Sequence, residues 1–306
     1  MKKVDSMNFK DELKARTERV EKILKKFLPA EEGYQKKVIE AMNYSIIAGG
    51  KRIRPVLMAE TAQLFSEKAT GLEYFMAAIE MIHNYSLVHD DLPAMDNDEY
   101  RRGRKTTHVV YGEGMAVLAG DGLLNYAFET AARAFDEAQT PEDYRRIAKA
   151  MQILGGKAGI YGMIGGQCAD LEAEEKGDQV TEDELLFIDE NKTAALIESA
   201  MTIGAVLAGA DEEQIRVVEK CASDIGIAFQ IQDDILDVTS SLEVLGKPIG
   251  SDERNHKLTY VALHGLEESK KQVEEISREA VAALSSFQSR NPFLEELILQ
   301  LISREK

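Results

Sequence analysis

Two acidic clusters carry the chemistry that this sequence offers. The first reads His89-Asp90-Asp91-Leu92-Pro93-Ala94-Met95-Asp96-Asn97-Asp98 and the second Gln232-Asp233-Asp234-Ile235-Leu236-Asp237. The first follows an apolar helical run from Phe75 to Val88, so its acids fall at the C-terminal end of that helix. That end carries partial negative charge, and acids there are unfavourable unless a cation compensates. In the second cluster, spacing of i and i+4 puts Asp233 and Asp237 on one helix face, with no Lys or Arg in the stretch. Carboxylates without His or Cys suit a hard divalent ion such as Mg²⁺, which takes one or two carboxylates together with waters and substrate phosphates. Either cluster alone reads as well as a solvated acidic face. The presence of two weighs against that, and neither has the spacing or glycine of an EF-hand.

Cations gather beside the first cluster. Gly49-Gly50-Lys51-Arg52-Ile53-Arg54-Pro55 opens a helical run, and Arg101-Arg102-Gly103-Arg104-Lys105 follows the acids, in a chain whose formal net charge is −17. The planar fork of arginine matches phosphate oxygens and lysine adds a point charge, so the pairing of acids with these bases fits a magnesium diphosphate. The bland alternative is a surface loop whose exposed ion pairs contribute little. His83, seven residues before Asp90, shares nearly the same helix face and is a candidate phosphate donor.

The elements that must position these groups are helices. Apolar residues recur at helical spacing, as in Leu13, Val20, Ile23, Leu24 and Phe27, and alternating β-branched runs are scarce. Pro29, Pro141 and Pro292 punctuate the periodic segments, which predicts an all-α chain of about ten or more helices. No low-complexity linker or fixed-period repeat divides it, so residues 1–306 read as one domain. Gly159, Gly162 and Gly165, three apart, suit close helix packing and match no phosphate-loop pattern.

Apolar residues at 44% and charged residues at 30% describe a folded globular chain, and the acidic balance excludes a general nucleic-acid binder. The most apolar window, 194–210, contains Glu198 and is too short to span a bilayer, so it predicts a buried helix and no membrane span. The N-terminal residues lack the apolar stretch of a secretory signal. Cys168 and Cys221 match no metal or disulfide spacing, so they read as core fillers in a reducing cytoplasm.

Taken together, the motifs resemble those of the trans-prenyltransferases, which include farnesyl and geranylgeranyl diphosphate synthases. The resemblance rests on GGKRIRP at 49–55, IHNYSLVHDDLPAMDNDEYRRG at 82–103, GGQCADL at 165–171, Lys192-Thr193, FQIQDDILD at 229–237 and GKPIGSDERNHKLTY at 246–260. It implies an isoprenoid synthase fold, a helical bundle around a deep central cavity, usually a homodimer, with three Mg²⁺ ions bridging the acidic motifs to an allylic diphosphate. By that likeness Asp90 and Asp96 ligate metal from one side and Asp233 from the other, with Asp91, Asp234 and Asp237 as ligands or support. Arg101, Lys192 and Lys257 would hold the allylic substrate, dimethylallyl or geranyl diphosphate. Lys51, Arg54, His83 and Arg102 would hold isopentenyl diphosphate, Gly50 and Lys247 would join the substrate-binding set, and Thr193 and Gln230 would face the reacting carbons. The implied reaction is ionisation of the allylic C–O bond, attack by isopentenyl diphosphate and loss of a proton, with closure of 246–257 and help from the tail 304–306 keeping water out.

In the same family, side chains just upstream of the first motif limit product length. Tyr85 lies five residues before Asp90, about 7 Å deeper along the helix, with Ser86 one position nearer. Tyr85 and the Pro93-Ala94 insertion together resemble bacterial farnesyl diphosphate synthases and predict a C15 product. A geranylgeranyl synthase is the alternative. A terpene cyclase lacks the second diphosphate site that Lys51, Arg54 and His83 supply, and a non-catalytic synthase subunit would have lost acids or bases that are all present here.

Overall fold

The computed structural model describes residues 6–239 and 258–302. Helices make up nearly all of this, as the sequence predicts. The chain divides into two compact units, one formed by Met1–Ala59 and Lys68–Met151, the other by Glu60–Glu67 and Gln152–Lys306.

The first unit contains α1 (Ser6–Phe27), α2 (Lys36–Ile47), α4 (Leu72–Asp90), a hairpin of β1 (Tyr100–Arg101) and β2 (Arg104–Lys105), α5 (Thr107–Tyr111) and α6 (Glu113–Ala132). α3 (Ile53–Ala62) and α7 (Pro141–Ala158) each contribute residues to both units. At the centre of the first unit, every side chain of α4 from Phe75 to Ile82 is buried. Each large apolar side chain withdrawn from water there contributes about 1.5–3 kcal/mol before entropy is counted. α6 lies along α4 with small residues inward, Ala116, Ala119, Gly120 and Ala127 among them, which lets the two helices approach closely. The one charge in the buried α4 run, Glu80, meets Arg52 at 2.7 Å.

In the second unit, α8 (Met163–Lys176), α9 (Glu182–Ile188), a π-helical segment (Asp189–Ala194), α10 (Ala195–Ala208) and α11 (Glu212–Thr239) precede α12 (Tyr260–His264), α13 (Leu266–Ser285) and α14 (Pro292–Ile302). α10 is the buried helix expected over 194–210. All its residues except Glu198 are buried, and that carboxylate is met by Lys157 at 2.5 Å. Pro141 and Pro292 each take the first helical position, where a missing N–H is no loss.

Two expectations need correction. Gly159, Gly162 and Gly165 do not pack helix on helix. A Cβ at each would meet backbone of the preceding turn, such as the Lys157 carbonyl for Gly162, so they serve the tight connection between α7 and α8. Nor are both cysteines core fillers: Cys221 is buried and its thiol, pushed up to about 12 by burial, donates to the Ala280 carbonyl, but Cys168 is exposed. Among the described residues no helix is long and apolar enough to cross a membrane.

Candidate active site

The first acidic cluster begins on the last residue of α4, Asp90, and continues into its C-cap, Asp91. The chain then folds back on itself. Leu92 N–H donates to the His89 carbonyl, Met95 N–H to Leu92, and Asp96 N–H to the Asp90 carbonyl at 2.9 Å. The last bond satisfies a helix-end acceptor and returns Asp96 to Asp90 despite the six-residue separation. Asn97, with φ of +53°, takes the left-handed turn that this return requires, a conformation Asn adopts more readily than most residues.

Asp91 is buried and accepts from Arg101 at 2.7 Å (Nε) and 2.6 Å (Nη2). Burial pushes its carboxyl above the ordinary range even against that guanidinium. Arg101 sits on β1 of the hairpin, whose turn residues Arg102 and Gly103 both have positive φ, as a type I′ turn requires. The basic run 101–105 is thus an ordered hairpin locked to the acidic cluster.

The turn of that hairpin reaches the glycine pair ahead of α3. The Arg102 guanidinium donates to the Gly49 carbonyl and lies where a Cβ on Gly50 would come within 2.8 Å of it. Gly50 therefore makes room for Arg102. Lys51 is exposed, and Arg54 and His83 are half-buried. His83 is held well below its usual range, first by burial and then by Arg54, Arg102, Arg52 and Arg101. Arg54 and Arg102 are lowered too, by burial and by neighbouring arginines, with Glu80 the acid opposing it at both. At all three burial is the largest cause and the neighbouring arginines add to it, so a bound anion would stabilise the charge that this cluster holds.

Arg52, in the middle of the same basic run, does something else. Its fully buried guanidinium donates to Glu80 and Glu21, each at 2.7 Å, and to the Ile46 carbonyl at 2.5 Å. It anchors the 49–55 loop from below.

In the second unit, Lys192 and Thr193 lie on the π-helical segment, which places them over α8 and α11. Lys192 meets Asp170 at 2.6 Å. Thr193 donates to the Gln230 side-chain oxygen at 3.0 Å, and Gln230 donates to Asp234 at 3.2 Å. The other Asp234 oxygen accepts the Tyr260 N–H at 2.9 Å. Gly166 and Gly226 allow this wide turn to settle, because a Cβ on the first would overlap the Lys192 backbone and on the second Ala194. Asp233 and Asp237 lie partly exposed on one face of α11, and Asp234 is buried.

A cavity of about 120 Å³ opens here, lined by Asp170, Asp189, Lys192, Thr193, Gln230 and Asp234 together with apolar side chains from Val180 to Leu258. Asp189 is the unforeseen member. Only 5% exposed, it has one oxygen with no hydrogen-bond partner, and burial together with Asp234 and Asp170 pushes its carboxyl up to about 8. Nothing in Ile188-Asp189-Glu190-Asn191 distinguishes it from a solvated helix face; Asp170 could have been found, since it lies within the GGQCADL motif.

On α4, Tyr85 is 6% exposed, and the Ser86 hydroxyl donates back to the His83 carbonyl at 3.0 Å. Lys247, Lys257, the 246–257 closure and the tail 304–306 lie outside the described residues.

The family model described as Polyprenyl synthetase matches residues 35–290. Farnesyl diphosphate synthase of Geobacillus stearothermophilus is 46% identical over 83% of this chain and 84% of its own. Geranylgeranyl diphosphate synthase of Cyanophora paradoxa is 44% identical over 90% of this chain and 89% of its own. Among solved structures, geranyltransferase from Helicobacter pylori, complexed with magnesium and isoprenyl diphosphate, superposes with a TM-score of 0.80 at 32% identity, covering 95% of each chain. The fold is the isoprenoid synthase fold expected from the sequence. Motifs, fold and relatives converge: this chain belongs to the polyprenyl synthetase family and is a prenyltransferase of isoprenoid biosynthesis.

Proposed function

We propose that this prenyltransferase condenses isopentenyl diphosphate head to tail with dimethylallyl and then geranyl diphosphate, giving (2E,6E)-farnesyl diphosphate. The observation that carries the two-substrate reading is the basic cluster in which Arg102, tied to the Gly49 carbonyl and seated over Gly50, gathers with Arg54 beside the His83 ring, which suits a diphosphate additional to the one at the acidic motifs. A cyclase, with one diphosphate to bind, has no use for it. Relatives of C15 and C20 specificity are nearly equal in identity, so the product assignment rests on buried Tyr85 and the Pro93-Ala94 insertion.

The donor set fits Mg²⁺. Asp90 and Asp96 converge at a negative helix end, Asp233 and Asp237 share a face, and all offer hard oxygen. Asp91, buried against Arg101, and Asp234, buried and accepting from Gln230 and the Tyr260 N–H, suit a supporting role. Among the described residues no three such groups alone form a metal site, and Mg²⁺ commonly completes its shell with waters and phosphates. When bound, Mg²⁺ would neutralise charge gathering on the departing diphosphate.

The chain's own residues do the rest. Arg101 and Lys192, each paired with an acid of its own unit, Asp91 and Asp170, are assigned by family likeness to the allylic diphosphate, as is Lys257. Because Thr193 donates its proton toward Gln230, its oxygen lone pairs are presented elsewhere and can steady an allylic cation. His83, kept neutral, can donate to a phosphate without adding to the charge of the cluster.

We also propose that both compact units act as one catalytic domain, since the family match runs through both without a break. A cytoplasmic homodimer is supported by free thiols and by Val109, Val110, Val117 and Leu118, apolar yet exposed on α5 and α6. The test is incubation with isopentenyl and dimethylallyl or geranyl diphosphate, with and without Mg²⁺, followed by mass analysis of dephosphorylated products. Magnesium-dependent farnesol is expected. Geranylgeraniol would overturn the product assignment, and a cyclic hydrocarbon or no elongation would overturn the reaction.

A further inference from the structure

Tyr85 and His89 lie four residues apart on α4, hence on one face, and their rings meet edge to face with centroids 5.7 Å apart. Among the described residues no hydrogen bond engages the Tyr85 hydroxyl, so packing alone orients that buried ring. His89 is fixed from two directions. Its Nε2 lies 3.1 Å from the Val117 carbonyl of α6, and its imidazole fills the space over Gly120, where a Cβ would overlap ring atoms. Gly120 is fully packed at the α4–α6 contact, so the imidazole has no room to swing toward α6.

We infer that His89, seated by Gly120 and the Val117 carbonyl, is a positioning residue that fixes the Tyr85 ring and thereby sets where chain growth stops. This rests on the farnesyl reading through Tyr85. A ring that limits chain length has to resist displacement by the growing end. An unbuttressed Tyr85 could turn about its Cα–Cβ bond and open the next helical turn, about 5.4 Å deeper, toward buried Met81. His89 contributes the edge contact that resists this. Because it acts through Tyr85 and touches no reacting carbon, its effect is on product length.

The experiment measures the C20:C15 product ratio at matched conversion for the parent and for Tyr85→Ala, His89→Ala, His89→Phe, Gly120→Ala and Tyr85→Ala/His89→Ala, with isopentenyl and geranyl diphosphates and Mg²⁺. His89→Ala and Gly120→Ala should raise the ratio about 2- to 10-fold, the equivalent of losing one edge-to-face pair. His89→Phe, which keeps a ring against Tyr85, should hold the parent ratio. The double variant should match Tyr85→Ala alone, since the buttress then has nothing to support. Loss of rate from disturbing neighbouring Asp90 does not enter a ratio. If Tyr85→Ala lengthens the product but His89→Ala and Gly120→Ala leave it unchanged, the inference fails alone. It also fails if His89→Ala multiplies the ratio equally with and without Tyr85. An unchanged product from Tyr85→Ala would instead overturn the Tyr85 reading itself.

Discussion

Replacing Arg52 with Met separates the structural from the binding role of the basic loop. The Arg52 guanidinium is fully buried, and its partner Glu80 keeps only 2% of its side chain exposed. Burial opposes the charge on Arg52, but Glu80 and Glu21 outweigh it and leave the group harder to deprotonate than usual. Methionine matches much of the side chain's bulk but leaves the Glu80 carboxylate buried with its main counter-charge gone. Breaking a buried pair in this way costs about 3–5 kcal/mol. At about 2–4 °C per kcal/mol for large domains, the melting temperature should fall by roughly 6–20 °C. The double variant Arg52→Met/Glu80→Gln removes both charges and should recover at least half of the loss. Thermal denaturation by circular dichroism reads both. Because Arg52 also ties the loop to the Ile46 carbonyl, KM for isopentenyl diphosphate should rise more than KM for the allylic substrate. A fall below 2 °C, or a double variant as unstable as the sum of its singles, would refute the pairing argument.

Three further outcomes follow from other parts of the molecule. Asp189, with its carboxyl raised to about 8, gives the folded chain an extra proton over the unfolded one between about pH 4 and 8, so its contribution to stability is full below pH 4 and lost as pH rises through 8. Asp189→Asn should therefore gain melting temperature relative to the parent from pH 5 to pH 9, and parallel curves would contradict this. Gly166→Ala should cost about 1–3 kcal/mol by overpacking against the Lys192 backbone and should lower kcat as Lys192 moves, measured by urea unfolding and steady-state rates. Leu118→Glu should convert a dimer to monomers by light scattering; a mass equal to the parent's would remove α6 from the interface.

Much of this arrangement was legible in the sequence because it is local. Helical periodicity located α1, α4 and α10, and the acids at 90–98 fell at a helix end as spacing required. What escaped was decided at a distance. Lys51, Arg52 and Arg54 look equivalent in a basic run, yet Arg52 turns inward because Glu21 and Glu80, about 30 residues away, await it. The hairpin at 100–105 was obscured because a type I′ turn with Arg at its first position departs from the usual Asn-Gly signal. Asp189 was invisible because its burial is set by the packing of α8 and α11 around a π-helical turn, a geometry without a compositional signature.

That π-helical turn has a consequence for how the gene can change. A π turn accommodates one residue more than an α turn, so the surplus residue is a built-in register offset between α9 and α10. Deleting a single codon within 189–194 would let the helix close regularly with α9 and α10 keeping their phase, but the wide turn that carries Lys192 and Thr193 would be lost. Lys192 and Thr193 would then leave the cavity while α10 stayed buried. Insertions and deletions should accumulate at 138–140, just ahead of α7, long before this stretch tolerates one.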